Sequence, residues 1–291
     1  MKKHSGTILL VLIFFVGLAV MLYPTISDYI NQRNQTRVVN SYAQQVDGLS
    51  DADYTAYFDA ADVFNQEIAA DPDALYHADR FSTYSITLDV TGTGIMGYVT
   101  IPRIKVKLPV YHGTSDGVLQ IAAGHLAGTS LPVGGATTHA VVSGHTGLPS
   151  ARLLTGLDEL QKGDTFAFHV LDETYTYQVD QISVVLPSEI SKLNIESGAD
   201  YATLITCTPY GVNSHRLLVR GHRIPNPKVP DSTQYDEPGE MTAVAAAVIG
   251  LLVFVAGCAF VGLARLWRRS WIVRHGLCAG AGARHSSGVR G

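Results

Sequence analysis

Cys207 is the only cysteine in the long polar middle of this 291-residue chain, within Thr-Leu-Ile-Thr-Cys-Thr-Pro-Tyr (203–210), and Arg216 follows nine residues later. A cysteine attacks a carbonyl as its thiolate, so it needs a histidine to hold or exchange the proton and a donor for the oxyanion that develops. Candidates for both partners are present. Ala140-Val-Val-Ser-Gly-His145 reads as a buried strand running into a glycine turn that presents His145 at the strand end. Tyr201–Cys207 delivers the cysteine the same way, and Ser214-His215-Arg216-Leu217-Leu218-Val219 starts the next strand. Spacing alone leaves His112, His125, His139, His169, His215 and His222 as rivals to His145. Likewise Arg216, Leu218 and Arg220 fall on one strand face, so position does not choose between the two arginines.

The compartment of the thiol follows from two apolar segments. Thr7–Tyr23, preceded by Lys2 and Lys3, is uncharged and nearly long enough to span about 30 Å of hydrocarbon as a helix. Its basic start and apolar core also fit a cleaved signal peptide, although no persuasive small-x-small site precedes Pro24. A second span is predicted at 241–264, flanked by Arg265, Arg268 and Arg269 with Trp267 and Trp271 at interfacial depth, which puts that end in the cytoplasm. Both ends then lie inside and the region between lies outside. Cys258 and Cys278 fall within and beyond the second span, so neither is available to pair with Cys207, and the structural use of an extracytoplasmic cysteine as a disulfide is closed.

Composition excludes other classes. A formal charge of −4 and a charged fraction of 16% offer no basic field for nucleic acid. Thr91-Gly92-Thr93-Gly94 resembles a fragment of a dinucleotide fingerprint, but it leads into a strand pattern rather than a helix, so a turn is predicted.

The chain divides into segments by texture. Residues 1–24 form the first span; 25–82 are polar and helix-compatible, with Tyr54, Tyr57, Phe58, Val63, Phe64 and Ile68 on one predicted helical face that Asp71-Pro72 ends. Residues 83–225 change to short β-branched and aromatic runs, among them 98–101, 140–143, 165–170, 174–179, 201–206 and 217–219. The pair 165–170 and 174–179 reads as a hairpin, and many short strands favour an all-β barrel or sandwich. A Pro-rich stalk (226–240), the second span (241–264) and a basic tail (265–291) complete the chain.

The run from Thr203 to Gly221 resembles the active-site segment of class C sortases, the pilus-polymerising transpeptidases of Gram-positive bacteria. Gly-Tyr-Val-Thr-Ile-Pro-Arg-Ile (97–104), Leu-Pro-Val-Tyr-His-Gly-Thr-Ser (108–115), Gly-His-Leu-Ala-Gly-Thr-Ser-Leu-Pro-Val-Gly-Gly (124–135) and Ser-Gly-His-Thr-Gly-Leu-Pro (143–149) agree in order and spacing. The resemblance covers roughly residues 70–225. It implies a mainly β fold, the eight-stranded sortase barrel preceded by N-terminal helices and flanked by two transmembrane helices, on the outer face of the cell membrane. It implies that Cys207 attacks the Thr–Gly carbonyl of an LPxTG-like sorting signal to form a thioacyl enzyme. By the same carry-over His145 protonates the leaving amine and then activates the incoming one, and Arg216 holds the substrate backbone and the oxyanion, a role suited to a planar, permanently charged donor. The implied partners are pilin precursors carrying the sorting signal and an acceptor lysine, with a cell-wall precursor as a further acceptor; no cofactor and no metal is implied.

The family's class C members commonly carry an Asp-Pro-aromatic lid, the aspartate meeting the catalytic arginine and the ring covering the cysteine. Asp71 and Pro72 match in position, but Asp73 takes the place of the aromatic, with Tyr76 and Phe81 as substitutes. The resemblance therefore predicts a weakly held, mobile segment at 70–82. Two alternatives remain open at this stage: a housekeeping sortase that anchors proteins to peptidoglycan, and a cysteine peptidase that uses water as acceptor.

Overall fold

A computed structural model describes residues 2–227 and, beyond them, only scattered helical positions between 250 and 262. All but the first two residues of the stalk, most of the second predicted span and the basic tail lie outside the described residues.

Helix α1 (Lys2–Val46) is one long element with Pro24 inside it. Its stretch from Leu9 is long and apolar enough to cross a membrane. Past Pro24 its character changes: Val39, Tyr42 and Val46, spaced to share one face, are buried. The Tyr42 hydroxyl donates to the Met96 carbonyl at 3.2 Å and accepts from the Leu171 amide at 2.8 Å, which rivets the helix to the barrel. Burial holds that phenol far above its usual range, so it stays a neutral donor.

Helix α2 (Asp51–Ala70) starts at Ser50, whose side chain accepts from the Asp53 amide while the Asp53 carboxylate accepts from the Ser50 amide, a capping box. Ala61, Phe64, Asn65 and Ile68 form its buried face. Val63, predicted on that face, is instead exposed. Asn65 clamps the backbone of Leu131 from both sides, accepting from its amide at 2.7 Å and donating to its carbonyl at 3.3 Å.

Eight strands follow: β1 (Ile95–Ile101), β2 (Val106–His112), β3 (Ala123–His125), β4 (Thr138–Ser143), β5 (Thr165–Val170), β6 (Glu173–Val185), β7 (Asp200–Thr208) and β8 (His215–Arg223). They close into a barrel in the order β1-β2-β3-β4-β7-β8-β6-β5. The predicted hairpin is present as β5 and β6, pairing Thr165 with Gln178 through Val170 with Glu173. Two neighbouring pairs, β2 with β3 and β4 with β7, are parallel; the other six are antiparallel. The glycine-rich segment before β1 is a turn as expected, Asp89 Oδ1 accepting from the amides of Thr93 and Gly94 at 3.1 and 3.0 Å.

Strand alternation sorts side chains into two apolar groups. Leu204, Leu217, Val219, Phe166, Phe168 and Tyr177 point into the barrel and join the core that α1 and α2 also cover. Val141, Ile205, Leu218, Val185 and Leu193 form a second cluster, on the opposite faces of β4, β7 and β8. That second cluster lines the face on which the candidate chemistry sits.

Candidate functional site

Cys207 and Arg216 are register partners across the antiparallel β7–β8 pair, with Ile205 opposite Leu218 and Thr203 opposite Arg220. All six lie on one outer face, since each is an even step from Cys207 or Arg216. The parallel pairing of β4 with β7 sets Ser143 beside Ile205, and the Gly144 amide continues the ladder to the Ile205 carbonyl at 3.0 Å. The β4–β7 pairing ends there, and His145 and Cys207 each lie two residues beyond that pair, at the same ends of the two neighbouring strands. The three predicted residues are thus gathered at one end of three adjacent strands.

The surroundings separate these residues from their rivals. His125 is fully buried between Tyr84 and Ser130, and burial depresses it to about 4. His169 is held down to about 4 by burial and by Lys107, and it is stacked on Tyr98. His139 is buried between the Asn194 carbonyl and the Thr203 hydroxyl, and burial lowers it too. The ring nitrogens of His112 face the carbonyls of Gly94 and Thr87 at 2.9 and 2.8 Å. His145, two residues past the end of β4, is half-buried and without a partner on its ring among the described residues.

The two arginines separate as clearly. Arg220 is bound to both carboxylate oxygens of Asp180 at 3.1 and 3.0 Å and to Glu196 at 3.3 Å, and it lies 4.0 Å over the Tyr201 ring. Arg216 makes only two hydrogen bonds, to the carbonyls of Asn213 at 3.2 Å and His215 at 3.1 Å. With no acid partner among the described residues, its charge is uncompensated beside the thiol. A guanidinium so placed is free to bind a carbonyl oxygen that becomes negative.

The segment at 70–82 differs from expectation in its anchorage. The Asp71 carboxylate pairs with Arg80 at 3.5 Å and accepts from the Asp73 amide, so it is engaged locally rather than with Arg216. Phe81 packs edge-on against Phe64 in the core, 5.8 Å between ring centroids, and Tyr76 is 68% exposed, so neither takes the place of the missing aromatic. Leu75 packs on the outer apolar cluster of Val141, Val185, Leu193, Ile205 and Leu218, whose member Ile205 is two residues from Cys207 along β7. The close approach is built in. A Cβ on Gly128, at φ +83°, would strike the carbonyl oxygen of buried Ala74. Sequence reasoning missed Leu75 because the patch it covers exists only once β4, β7 and β8 are side by side.

A closed eight-stranded barrel that sets a thiol opposite an arginine with no acid partner among the described residues, with a histidine at the end of the neighbouring strand, holds residue types that cysteine acyl transfer uses. Comparison with known proteins narrows this. Residues 99–224 match the family model of the sortase domain. The crystal structure of sortase C1 from Streptococcus agalactiae is 46% identical, with a TM-score of 0.60 over 66% of this chain and 100% of that one. Sortase C from Streptococcus pneumoniae is 44% identical, with a TM-score of 0.59 over 65% of this chain and 97% of that one. Among curated relatives, sortase A of Streptococcus agalactiae is 29% identical over 117 residues, 39% of this chain and 47% of the relative. Sortase A of Bacillus anthracis is 26% identical over 224 residues, 76% of this chain and 95% of the relative. The chain belongs to the sortase family of cysteine transpeptidases, in its class C branch.

Proposed function

We propose that this chain is a pilus-assembly transpeptidase that cleaves an LPxTG-like sorting signal between Thr and Gly and joins the released acyl group to a lysine amine of another pilin. The observation that carries the reading is the Cys207–Arg216 register pair, with His145 following the end of the neighbouring strand β4. The Cys207 thiol passes its proton to His145 and its sulfur attacks the threonine carbonyl carbon; the carbonyl electron pair moves to the oxygen, to which Arg216 donates hydrogen bonds. The C–N bond then breaks as His145 gives a proton to the departing glycine amine, leaving a thioester. In the second half an amine attacks the thioester, His145 takes its proton, the C–S bond breaks and the thiolate is restored. No cofactor enters the reaction.

Two features support the pilin assignment over wall anchoring. The relatives with the higher identities are sortases C, one of them described in terms of pilin substrate specificity. The apolar stretch of α1 fits a membrane anchor, and with the second span predicted at 241–264 the barrel would be held at the outer face of the cell membrane at both ends. Leu75 packs on the outer apolar cluster to which Ile205 and Leu218 of the Cys207 face belong, which makes the segment around it a candidate cover of that face.

The test is product analysis with an LPxTG peptide, with and without a peptide carrying a lysine amine. Formation of an isopeptide-linked product that depends on the amine supports the reading; hydrolysis alone, unaffected by amine, assigns the chain to the peptidases instead.

A further inference from the structure

We propose that the end of the barrel holding Cys207 rests on the bilayer surface, with Tyr210 and Val212 at the tip of the β7–β8 turn entering the lipid headgroup layer. The inference rests on the reading of α1 as a membrane anchor.

Helix α1 serves as a ruler. Its apolar run ends at Tyr23. Asp28 accepts from the Arg152 amide at 2.7 Å, and Asn31 donates to the Ser150 carbonyl at 2.6 Å. From Tyr23 to Asp28 the helix rises about 8 Å at 1.5 Å per residue. The polar layer on each side of the hydrocarbon core is about 5–8 Å deep, so loop 150–152 is held at headgroup level. Gln35 then donates to the Ile121 carbonyl and Tyr42 reaches Met96 and Leu171. These contacts lie about 10 and 21 Å further along the axis, so the barrel stands on the loop after β4, and the start of β1 and the β5–β6 turn point away.

Strand direction fixes what else is at the lower end. β1 begins beside Tyr42 and runs toward the membrane, β2 and β3 run away, and β4 and β7 run toward it again. The loop holding His145 and the β7–β8 turn therefore emerge on the membrane side. They also touch: a Cβ on Gly147 would collide with the Tyr210 ring.

The exposed apolar side chains follow the same polarity. Tyr210 is 73% and Val212 69% exposed at the turn, with Val184 and Leu186 exposed at the end of β6, which pairs Val185 with Arg216. Ile26 and Ile30 are exposed on α1 just past the apolar run. At the opposite end the exposed large apolar side chain among the described residues is Ile86, beside the end of β2, against four at the Cys207 end. Tyrosine, with an apolar ring and a polar tip, is the residue type that settles at a membrane interface. The cleft then opens at the height where a peptide still held in the membrane emerges.

The test uses the full chain reconstituted in phosphatidylcholine/phosphatidylglycerol vesicles that carry a spin label on the headgroup. The only tryptophans are Trp267 and Trp271, and both are replaced by phenylalanine. Single probes are then introduced as Tyr210→Trp, Val212→Trp and, in the far β5–β6 turn, Asp172→Trp. In vesicles that co-float with the chain, the probes at 210 and 212 should be quenched at least threefold more than the probe at 172. Equal quenching in a co-floating chain overturns the inference and leaves the anchor reading standing. A chain that does not float with the vesicles overturns the anchor reading and the inference together. Should Tyr210→Trp lower the melting temperature, the Val212→Trp probe decides the matter.

Discussion

Arg216 stands directly opposite Cys207 on the neighbouring antiparallel strand, while Arg220, two positions further along the same face, is fully occupied by Asp180, Glu196 and the Tyr201 ring. The fold thus engages Arg220 with carboxylates and leaves Arg216 without an acid partner among the described residues. Arg216→Lys should retain the charge but lose the planar fork, and kcat/KM for the sorting peptide should fall by about 10²-fold or more, the loss typical of one oxyanion donor. Arg220→Lys should act instead on stability, lowering the melting temperature while sparing the chemical step. If Arg220→Lys were the variant that lost turnover with its melting temperature intact, the roles would be reversed.

His145 has no ring partner among the described residues and follows the end of β4, the strand paired with the one that carries Cys207, where a proton shuttle between two successive amines would have to stand. His145→Ala should lower the rate of both thioacyl formation and its aminolysis, by about 10²–10⁴-fold. His125→Ala and His139→Ala should chiefly destabilise the barrel, since both rings are buried and hydrogen-bonded. Pre-steady-state kinetics on the three variants separates these outcomes.

How much of this was legible in the sequence depends on the range of the contacts involved. The strands could be read because β-branched runs alternate with turn residues over a few positions, and residues 165–170 coincide with β5 as predicted. Cys207, His145 and Arg216 could be named from their flanking motifs. Choosing Arg216 over Arg220 on physical grounds was not possible, because the carboxylates that occupy Arg220 come from β6 and the loop before β7. Val63 departs from the expected face because α2 turns Asn65 inward instead, where its paired bonds to Leu131 satisfy the buried amide. The cover at Leu75 was invisible for the same reason of range.

Leu75 rather than Asp71 should govern access to the thiol. The Asp71–Arg80 pair is surface-exposed on the arginine side and is worth about 0–1 kcal/mol. Partial burial of a leucine on an apolar patch is worth on the order of 1 kcal/mol or more. Alkylation of Cys207 by a methanethiosulfonate reagent should therefore accelerate about five- to tenfold in Leu75→Ser and only about two- to threefold in Asp71→Ala, taking 1.4 kcal/mol per factor of ten. A larger effect from Asp71→Ala would show that the ion pair holds the segment.

Acid should destabilise the barrel through its buried histidines. Burial holds His125 and His169 at about 4, below their unfolded value of 6.5. The unfolded chain therefore binds more protons between those values, so stability is complete above about pH 6.5 and declines as pH falls toward 4. For His125 the loss amounts to about 3 kcal/mol. The melting temperature of the chain in detergent, followed from pH 7.5 to 4, should drop across this window, and His125→Gln should flatten part of the slope. A melting temperature independent of pH between 6.5 and 4 would contradict the buried neutral state.

The central claim is that Cys207 forms an acyl bond to the sorting signal. The most direct measurement is intact-mass spectrometry of the chain quenched in acid during turnover of an LPxTG peptide. The account predicts an adduct equal to the peptide N-terminal to its glycine, located on Cys207, lost on adding a lysine amine or hydroxylamine, and absent from Cys207→Ala. An adduct that persists in Cys207→Ala, or turnover by that variant, would contradict it.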